Sequence, residues 1–492
     1  MTSKISDIQQ HPNVEISVKN FGPIAEGTVD LRPLTVFVGP SNTGKSYFST
    51  LVYALQGVFK SFSSFVFFAA LIKELRYRLF SAASSPEKEK MERLLKKLIT
   101  AEGPFKLSEL PSDTRALLQN IVKHSETFGD EFRGTLLAEL KNCFDVKSVS
   151  TLVRLNEERI ANELMVSLKV REEHQTLWNI RMAVSDSDVI FDWGVPDRMT
   201  LTSVGRVELM DAGFAKIERW TEPVGRRYYL PAVRSGIMQS HRVMASSLVK
   251  RATRDGLECY PEVPTFSSVI AELMEKIIRY EEDANADGDM RHLAETLESD
   301  VLSGEIRLKP SASGYPDFRY RPQGTKADMQ IGQASSMVSE LAPLVLLLRS
   351  GIKPGDTLII EEPEAHLHPG AQTDIAITLA RLVRAGVRVI VTTHSDWLLE
   401  QIGNLILEGE LEKQVGETNA PPVFLHKEQV GCWHFQKNGK IEEIAYDRMD
   451  GVEPQEYADI AESLYNRSAE LHNRLEELRL NTETVQGIDG KK

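Results

Sequence analysis

Residues 34–55, "LTVFVGPSNTGKSYFSTLVYAL", decide the fold. An apolar run at 34–38 suits a strand buried on both faces, and helical periodicity begins at Lys45. Between them stands the pattern G-x-x-x-x-G-K-[ST]: Gly39, Pro40, Ser41, Asn42, Thr43, Gly44, Lys45 and Ser46. Backbone N–H groups of such a loop, and of the helix it opens, converge on phosphate oxygens. Lys45 reaches the β- and γ-phosphates, and the Ser46 hydroxyl holds Mg²⁺. A glycine turn without a ligand is the plain alternative, but the strand before and the helix after favour a nucleotide site.

Such a site needs a carboxylate for the metal and a group that orients water. Residues 356–369, "DTLIIEEPEAHLHP", offer both: a strand ends in Glu361 and Glu362 at the carboxyl edge of a sheet, where open α/β folds bind ligands. Glu361 is expected to hold Mg²⁺ through water, and Glu362 to polarise the attacking water. The alternatives are a solvated acidic strand end, or a separate metal site made from Glu361, Glu362, Glu364, His366 and His368, which lacks two histidines at helical spacing. A third strand, 387–395 ("VRVIVTTHS"), ends in His394. That position puts the imidazole on the same sheet edge, able to sense the γ-phosphate, although a lone histidine is more often structural.

Composition sets the frame. A chain of 492 residues exceeds the size at which one core stops growing, so several units are expected. Net charge −13 argues against a surface coated in nucleic acid, leaving room only for a regional DNA contact. Cys143, Cys259 and Cys432 show no paired spacing, which fits a reducing cytoplasm. The apolar run at 61–72, "SFSSFVFFAALI", falls short of the roughly 20 residues that span a bilayer and reads as a buried helix; no membrane partner is expected.

The expected architecture is α/β: a P-loop ATPase domain, mixed sheet with helices, split by a large helical insertion. Residues 1–55 form its N-terminal lobe with the phosphate loop, and 56–225 form the insertion, mostly helical. Residues 226–450 complete the ATPase domain, and 451–492 are a C-terminal helix (about 453–480) and tail. Within this scheme 226–236 ("RRYYLPAVRSG") is strand-like, "GEIRLK" and "DFRYR" form a hairpin or meander, and Asn438-Gly439 marks a hairpin turn.

Taken in order, "GPSNTGKS", "ASSMVSEL", "LIIEEPEAHLHP" and "VIVTTHSDWLL" resemble the ABC-type ATPase domains of the RecF, SMC and OLD group. Within it they are most similar to the stand-alone ATPases of bacterial phage-defence systems such as Septu, Gabija and PARIS. The likeness covers 14–60 and about 226–450, and it is specific for the ATPase class, not for one system. It implies that Ser335 and Ser336 sit at the ABC signature, opening a helix that faces the γ-phosphate bound by a second subunit, hence a homodimer or higher homo-oligomer. Met337 and Val338 stand where signatures usually carry glycine, and Glu361 replaces the commoner aspartate. A serine-capped helix without a ligand is the alternative. Arg234, in the segment "YYLPAVRSG", is left among nucleotide, metal-bound water and the insertion.

Three uses of ATP compete. One is a defence ATPase that senses or restrains a separate effector protein, a nuclease or toxin. The second is a DNA-repair or chromosome-maintenance ATPase that clamps DNA. The third, a transporter subunit, lacks any membrane context. For DNA, the candidate basic residues are Arg226, Arg227 and Arg234, then Arg242, Lys250, Arg251 and Arg254, with Lys88, Lys90, Arg93, Lys96 and Lys97; interleaved Glu87, Glu89 and Glu92 suit an ordinary solvated surface equally well.

Overall fold

The computed structural model describes residues 13–61, 74–80, 86–100, 105–106, 111–123, 126–154, 163–172, 175–184, 189–193, 200–201, 226–252, 266–281, 288–309, 315–415, 423–447, 451–452 and 462–476. Its main element is an 11-stranded sheet. Along the chain the strands are β1 (Asn13–Phe21), β2 (Ile24–Leu31), β3 (Leu34–Val38), β4 (Leu164–Glu172), β5 (Gln175–Val184), β6 (Val189–Trp193), β7 (Arg227–Leu230), β8 (Thr357–Glu361), β9 (Arg388–Thr392), β10 (Val430–Phe435) and β11 (Lys440–Ile444). In space they run β6-β5-β4-β1-β2-β11-β10-β3-β9-β8-β7.

The half from β10 to β7 is parallel throughout, and its strands are buried at nearly every position. Both faces are covered, which is what such strands require. Leu34, Val36 and Val38 join one core and Phe37 the other, so the pleat distributes a single strand between two cores. On one face lies α1 (Lys45–Ser61), whose Phe48 meets Phe37 edge to face, with ring centroids 5.4 Å apart. Opposite lie α2 (Arg234–Ala252), α3 (Ser336–Ser350), α4 (Pro369–Arg384) and α5 (Asp396–Val415).

The segment expected to be a helical insertion has two characters. Its first part is helical: Pro86–Thr100, Ser112–Lys123 and Glu126–Phe144. The helix Glu126–Phe144 packs along α1, and its Glu139 Oε2 takes a 3.0 Å bond from Arg227 Nη1 of β7. The later part corrects the expectation. Strands β4, β5 and β6 extend the main sheet, β4 pairing antiparallel with β1 from Asn13↔Arg171 to Lys19↔Met165. The reason is the period-two alternation of Leu164, Val166 and Leu168, all buried, which suits one covered face of a strand.

Two hairpins stand as expected: Gly304–Lys309 with Asp317–Pro322, and β10 with β11 around Gly439 at φ 86°. Of the apolar run 61–72, all but Ser61 lies outside the described residues. No described helix is long and apolar enough to cross a membrane. Of the expected C-terminal helix, 462–476 is described and helical.

Candidate nucleotide site

Register brings the scattered motifs to one place. Glu361 pairs with Thr392, and Thr392 with Phe37, so β8, β9 and β3 end level with one another. The chain leaves that common carboxyl edge as Glu362, as Thr393-His394, and as Gly39. This is the edge at which parallel α/β sheets take ligands.

The loop Gly39–Ser46 is built from conformations few residues tolerate. Gly39 has φ 128°, Asn42 φ 64° and Gly44 φ 106°. A Cβ on Gly39 would stand 2.3 Å from the Phe435 carbonyl oxygen, and one on Gly44 2.6 Å from Ile24 Cγ1. Pro40 accepts from the Thr43 hydroxyl at 2.8 Å, which closes the turn. Lys45 is buried and donates to the carbonyls of Gly39 and Pro40, both at 2.7 Å. Burial lowers its pKa to about 8, while Glu362 and Glu364 pull the other way. Ser41, Asn42 and Ser46 are exposed, Ser46 in the first turn of α1.

The two carboxylates of the strand end are held differently. Glu361 is buried; its Oε1 accepts from the Tyr229 hydroxyl at 2.7 Å and its Oε2 from the Ala232 N–H at 3.0 Å. Tyr229 in turn lies 2.9 Å from the Ser49 hydroxyl, which ties Glu361 to α1 behind the phosphate loop. Glu362 is half-exposed, with φ 44°, a left-handed backbone rare for this residue type. Its N–H donates to the Thr392 carbonyl at 2.9 Å.

His394 is exposed and leaves the end of β9. Desolvation lowers its pKa, Lys45 lowers it further, and Glu362 opposes both. That electrostatic coupling marks Lys45, Glu362 and His394 as neighbours. At neutral pH the imidazole is therefore uncharged, free to donate or accept one hydrogen bond.

The other sequence candidates have structural explanations. His368 caps α4, its Nδ1 accepting from the Gly370 N–H at 3.3 Å, and Pro369 opens the helix. Among the described residues no group of three or more His, Cys, Asp or Glu is arranged to hold a metal, so the acidic-histidine cluster is not a metal site of its own. Ser335 is the N-cap of α3, and Ser336 begins the helix. Both are exposed, and the Ser335 side chain makes no capping bond.

Arg234, which the sequence left open, turns inward: it is 1% exposed, with Nη2 2.9 Å from Glu340 Oε1 of α3 and 2.9 Å from the Glu362 carbonyl. Arg227 also turns inward, to Glu139, Glu272 and the Tyr53 carbonyl. Neither belongs to an outward basic face.

Sequence reasoning passed over Tyr229 and Thr393 and gave Glu364 no separate role. Each lies inside a stretch quoted above, so its place in the motif was the available signal.

The group implied by this loop is a nucleoside triphosphate with Mg²⁺, and the residues present fit it. The Gly39 and Gly44 turns leave no room for a side chain, a cation sits behind the loop, and carboxylates of two kinds face it across the sheet edge. These features are those of a P-loop nucleotide site on a mixed α/β sheet. Residues 241–400 match the family model described as "AAA domain, putative AbiEii toxin, Type IV TA system". No curated protein matches the chain.

Similar solved structures include three SMC heads. The SMC head bound to the C-winged helix domain of ScpA is 12% identical, with TM-score 0.39, covering 88% of this chain and 97% of that one. The SMC head domain from Thermotoga maritima is 11% identical, with TM-score 0.35, covering 88% and 99%. The Smc head domain with an extended coiled coil bound to the C-terminal domain of ScpA, derived from Pyrococcus furiosus, is 12% identical, with TM-score 0.39, covering 92% and 100%.

Proposed function

We propose that the chain is an Mg²⁺-dependent ATPase, hydrolysing ATP to ADP and phosphate, that works as a homodimer regulating a separate effector protein in defence against phage. The observation that carries the hydrolytic reading is the common sheet edge that gathers Lys45, Glu362 and His394. The backbone of the loop, with Lys45, binds and orients the phosphates. Ser46 and Glu361 would hold the metal, Glu361 through water because both its oxygens already accept protein hydrogen bonds. Mg²⁺, when bound, neutralises phosphate charge. Glu362 takes the proton of the attacking water, and neutral His394 contributes one hydrogen bond near the terminal phosphate.

Dimerisation is supported by the exposed start of α3, where unpaired backbone N–H groups suit an anion offered by another chain. The defence reading draws on the toxin–antitoxin name of the family matched over 241–400. A protein effector is also supported by the helix 462–476. Leu464, Leu471 and Leu475 are exposed along one side of it, bordered by Arg467, His472 and Arg474. Such a stripe suits a partner helix with an apolar face, Arg474 and His472 being placed to meet carboxylates while Arg467 pairs with Glu470 at 2.8 Å. Inward-facing Arg227 and Arg234 weaken the DNA-clamp alternative.

The test is ATP hydrolysis with Mg²⁺ beside nucleotide binding. Lys45→Ala should abolish binding. Glu362→Gln should keep binding and slow turnover by about 100-fold or more, because only the water-orienting step loses its base. Equal affinity in wild type and Lys45→Ala would remove the assignment.

A further inference from the structure

Arg234 joins three segments that are distant in sequence. Standing at the first position of α2 and 1% exposed, it donates from Nη1 to the carbonyls of Pro231, at 3.2 Å, and of Glu361. Its Nη2 donates to the Glu362 carbonyl at 2.9 Å, and its Nε to the Glu340 carbonyl at 3.2 Å. The same Nη2 lies 2.9 Å from Glu340 Oε1. Glu340 is wholly buried, and neither of its carboxylate oxygens has an aligned hydrogen bond, so the arginine is the one ion-pair partner recorded for it among the described residues.

Two details give this contact a direction. Glu362 keeps its left-handed backbone because it is held on both sides, N–H by Thr392 and C=O by Arg234. Glu340 lies one helical turn after Ser336, so both stand on the same side of a helix whose first residues are exposed. A planar guanidinium holds its acceptors in a fixed fork, whereas the three donors of an ammonium rotate freely about the side-chain end.

We propose that Arg234 is a positioning residue for the Glu362 carboxylate, and that its pairing with Glu340 transmits displacement of the exposed Ser335–Ser336 end of α3 to that carboxylate. The link rests on the ATPase reading above. It makes turnover depend on what engages α3: a partner at the helix start shifts Glu340, Arg234 follows, and the Glu361–Glu362 backbone moves with it. Nucleotide binding, which uses the phosphate loop on the other side of β9, does not depend on the pair.

Breaking the pair singly would strand a buried charge and endanger folding, so the informative variant is Arg234→Met with Glu340→Met, which removes both charges together. Four readings are taken: thermal unfolding, affinity for a fluorescent ATP analogue, turnover at saturating ATP, and amide hydrogen exchange of 357–368. The expected result is a retained fold and affinity within about threefold, with turnover lowered by about 30-fold or more and exchange in 357–368 raised by about tenfold. Unchanged turnover and exchange would overturn the proposal. If the double variant does not fold, Arg234→Lys decides by the same readings, since it keeps the charge and loses the fork. A wild-type protein without turnover would defeat the ATPase reading, while exchange in 357–368 would still decide the clasp.

Discussion

Glu364 holds the loop that carries His394: its Oε1 accepts from the His394 N–H and from the Thr393 hydroxyl, each at 2.8 Å. Burial raises the Glu364 pKa, and those hydrogen bonds oppose the rise. Its second oxygen is buried with no hydrogen-bond partner among the described residues. Removing the acceptor leaves the hydroxyl of buried Thr393 and the His394 N–H without it, which costs about 1–3 kcal/mol. Glu364→Ala is therefore expected to lower stability by that amount in urea unfolding. It should also reduce turnover more than nucleotide affinity, because the histidine loop loosens and the phosphate loop does not. Full turnover with the predicted loss of stability would confine Glu364 to a structural role.

The lysine of the phosphate loop predicts a pH dependence. Lys45 is pulled down to about 8 chiefly by burial, and a phosphate anion prefers its protonated form. The sign follows: affinity is fullest below pH 8, where the free protein already carries the charge, and falls as pH rises through 8 and the lysine loses its proton. Fluorescent-nucleotide titrations between about pH 6.5 and 9.5 should show this decline. A flat profile would mean that the lysine charge does not contribute to binding.

Gly39 tests the loop without touching a charge. Its φ of 128° and the Phe435 carbonyl 2.3 Å from a built Cβ leave no room for alanine. Gly39→Ala is expected to cost about 1–3 kcal/mol of stability and to abolish nucleotide binding together. Unimpaired binding, measured by the same titration, would show that the loop adapts.

The parallel half of the sheet and the residues on its edge were legible because a buried parallel strand has a plain signature: "LTVFV", "TLIIE" and "RVIVT" are short and mostly β-branched or apolar, and each leads into its chemistry. Strands β4, β5 and β6 were missed for the opposite reason. Leu164 to Val170 alternate at period two, but they lie beyond some hundred residues of helical sequence, and only tertiary pairing with β1 reveals them as part of the same sheet. Arg234 was unreadable in another sense. A lone arginine after a strand suggests a ligand, while its partners, the Glu340 carboxylate and the carbonyls of Glu361 and Glu362, come together only through folding.

The exposed start of α3 predicts dimerisation. In Glu362→Gln at saturating ATP, light scattering is expected to show a dimer that is absent without nucleotide. Adding Ser335→Arg should abolish it by placing bulk and length at the helix start, with little effect on stability because the side chain there is exposed and makes no capping bond. A dimer that survives Ser335→Arg would place the interface elsewhere.

The last prediction separates a regulator of another protein from a DNA clamp, and it follows from charge. A clamp that neutralises several phosphates loses affinity steeply as salt rises, in proportion to the counterions released. This chain carries a net charge of −13, and two of its candidate basic residues are committed inward, Arg227 to Glu139 and Glu272, and Arg234 to Glu340. The isolated protein is therefore expected to bind DNA only weakly near physiological salt, with or without ATP, while an effector helix docks on 462–476. Replacing Leu471 and Leu475 with Glu should abolish effector capture and leave turnover unchanged, since both side chains are exposed and touch nothing at the nucleotide site. The measurement is DNA affinity against ionic strength, beside co-purification of the product of the adjacent gene. Nanomolar, ATP-dependent DNA binding at about 0.15 M salt, with no captured protein, would reverse the ranking in favour of the clamp.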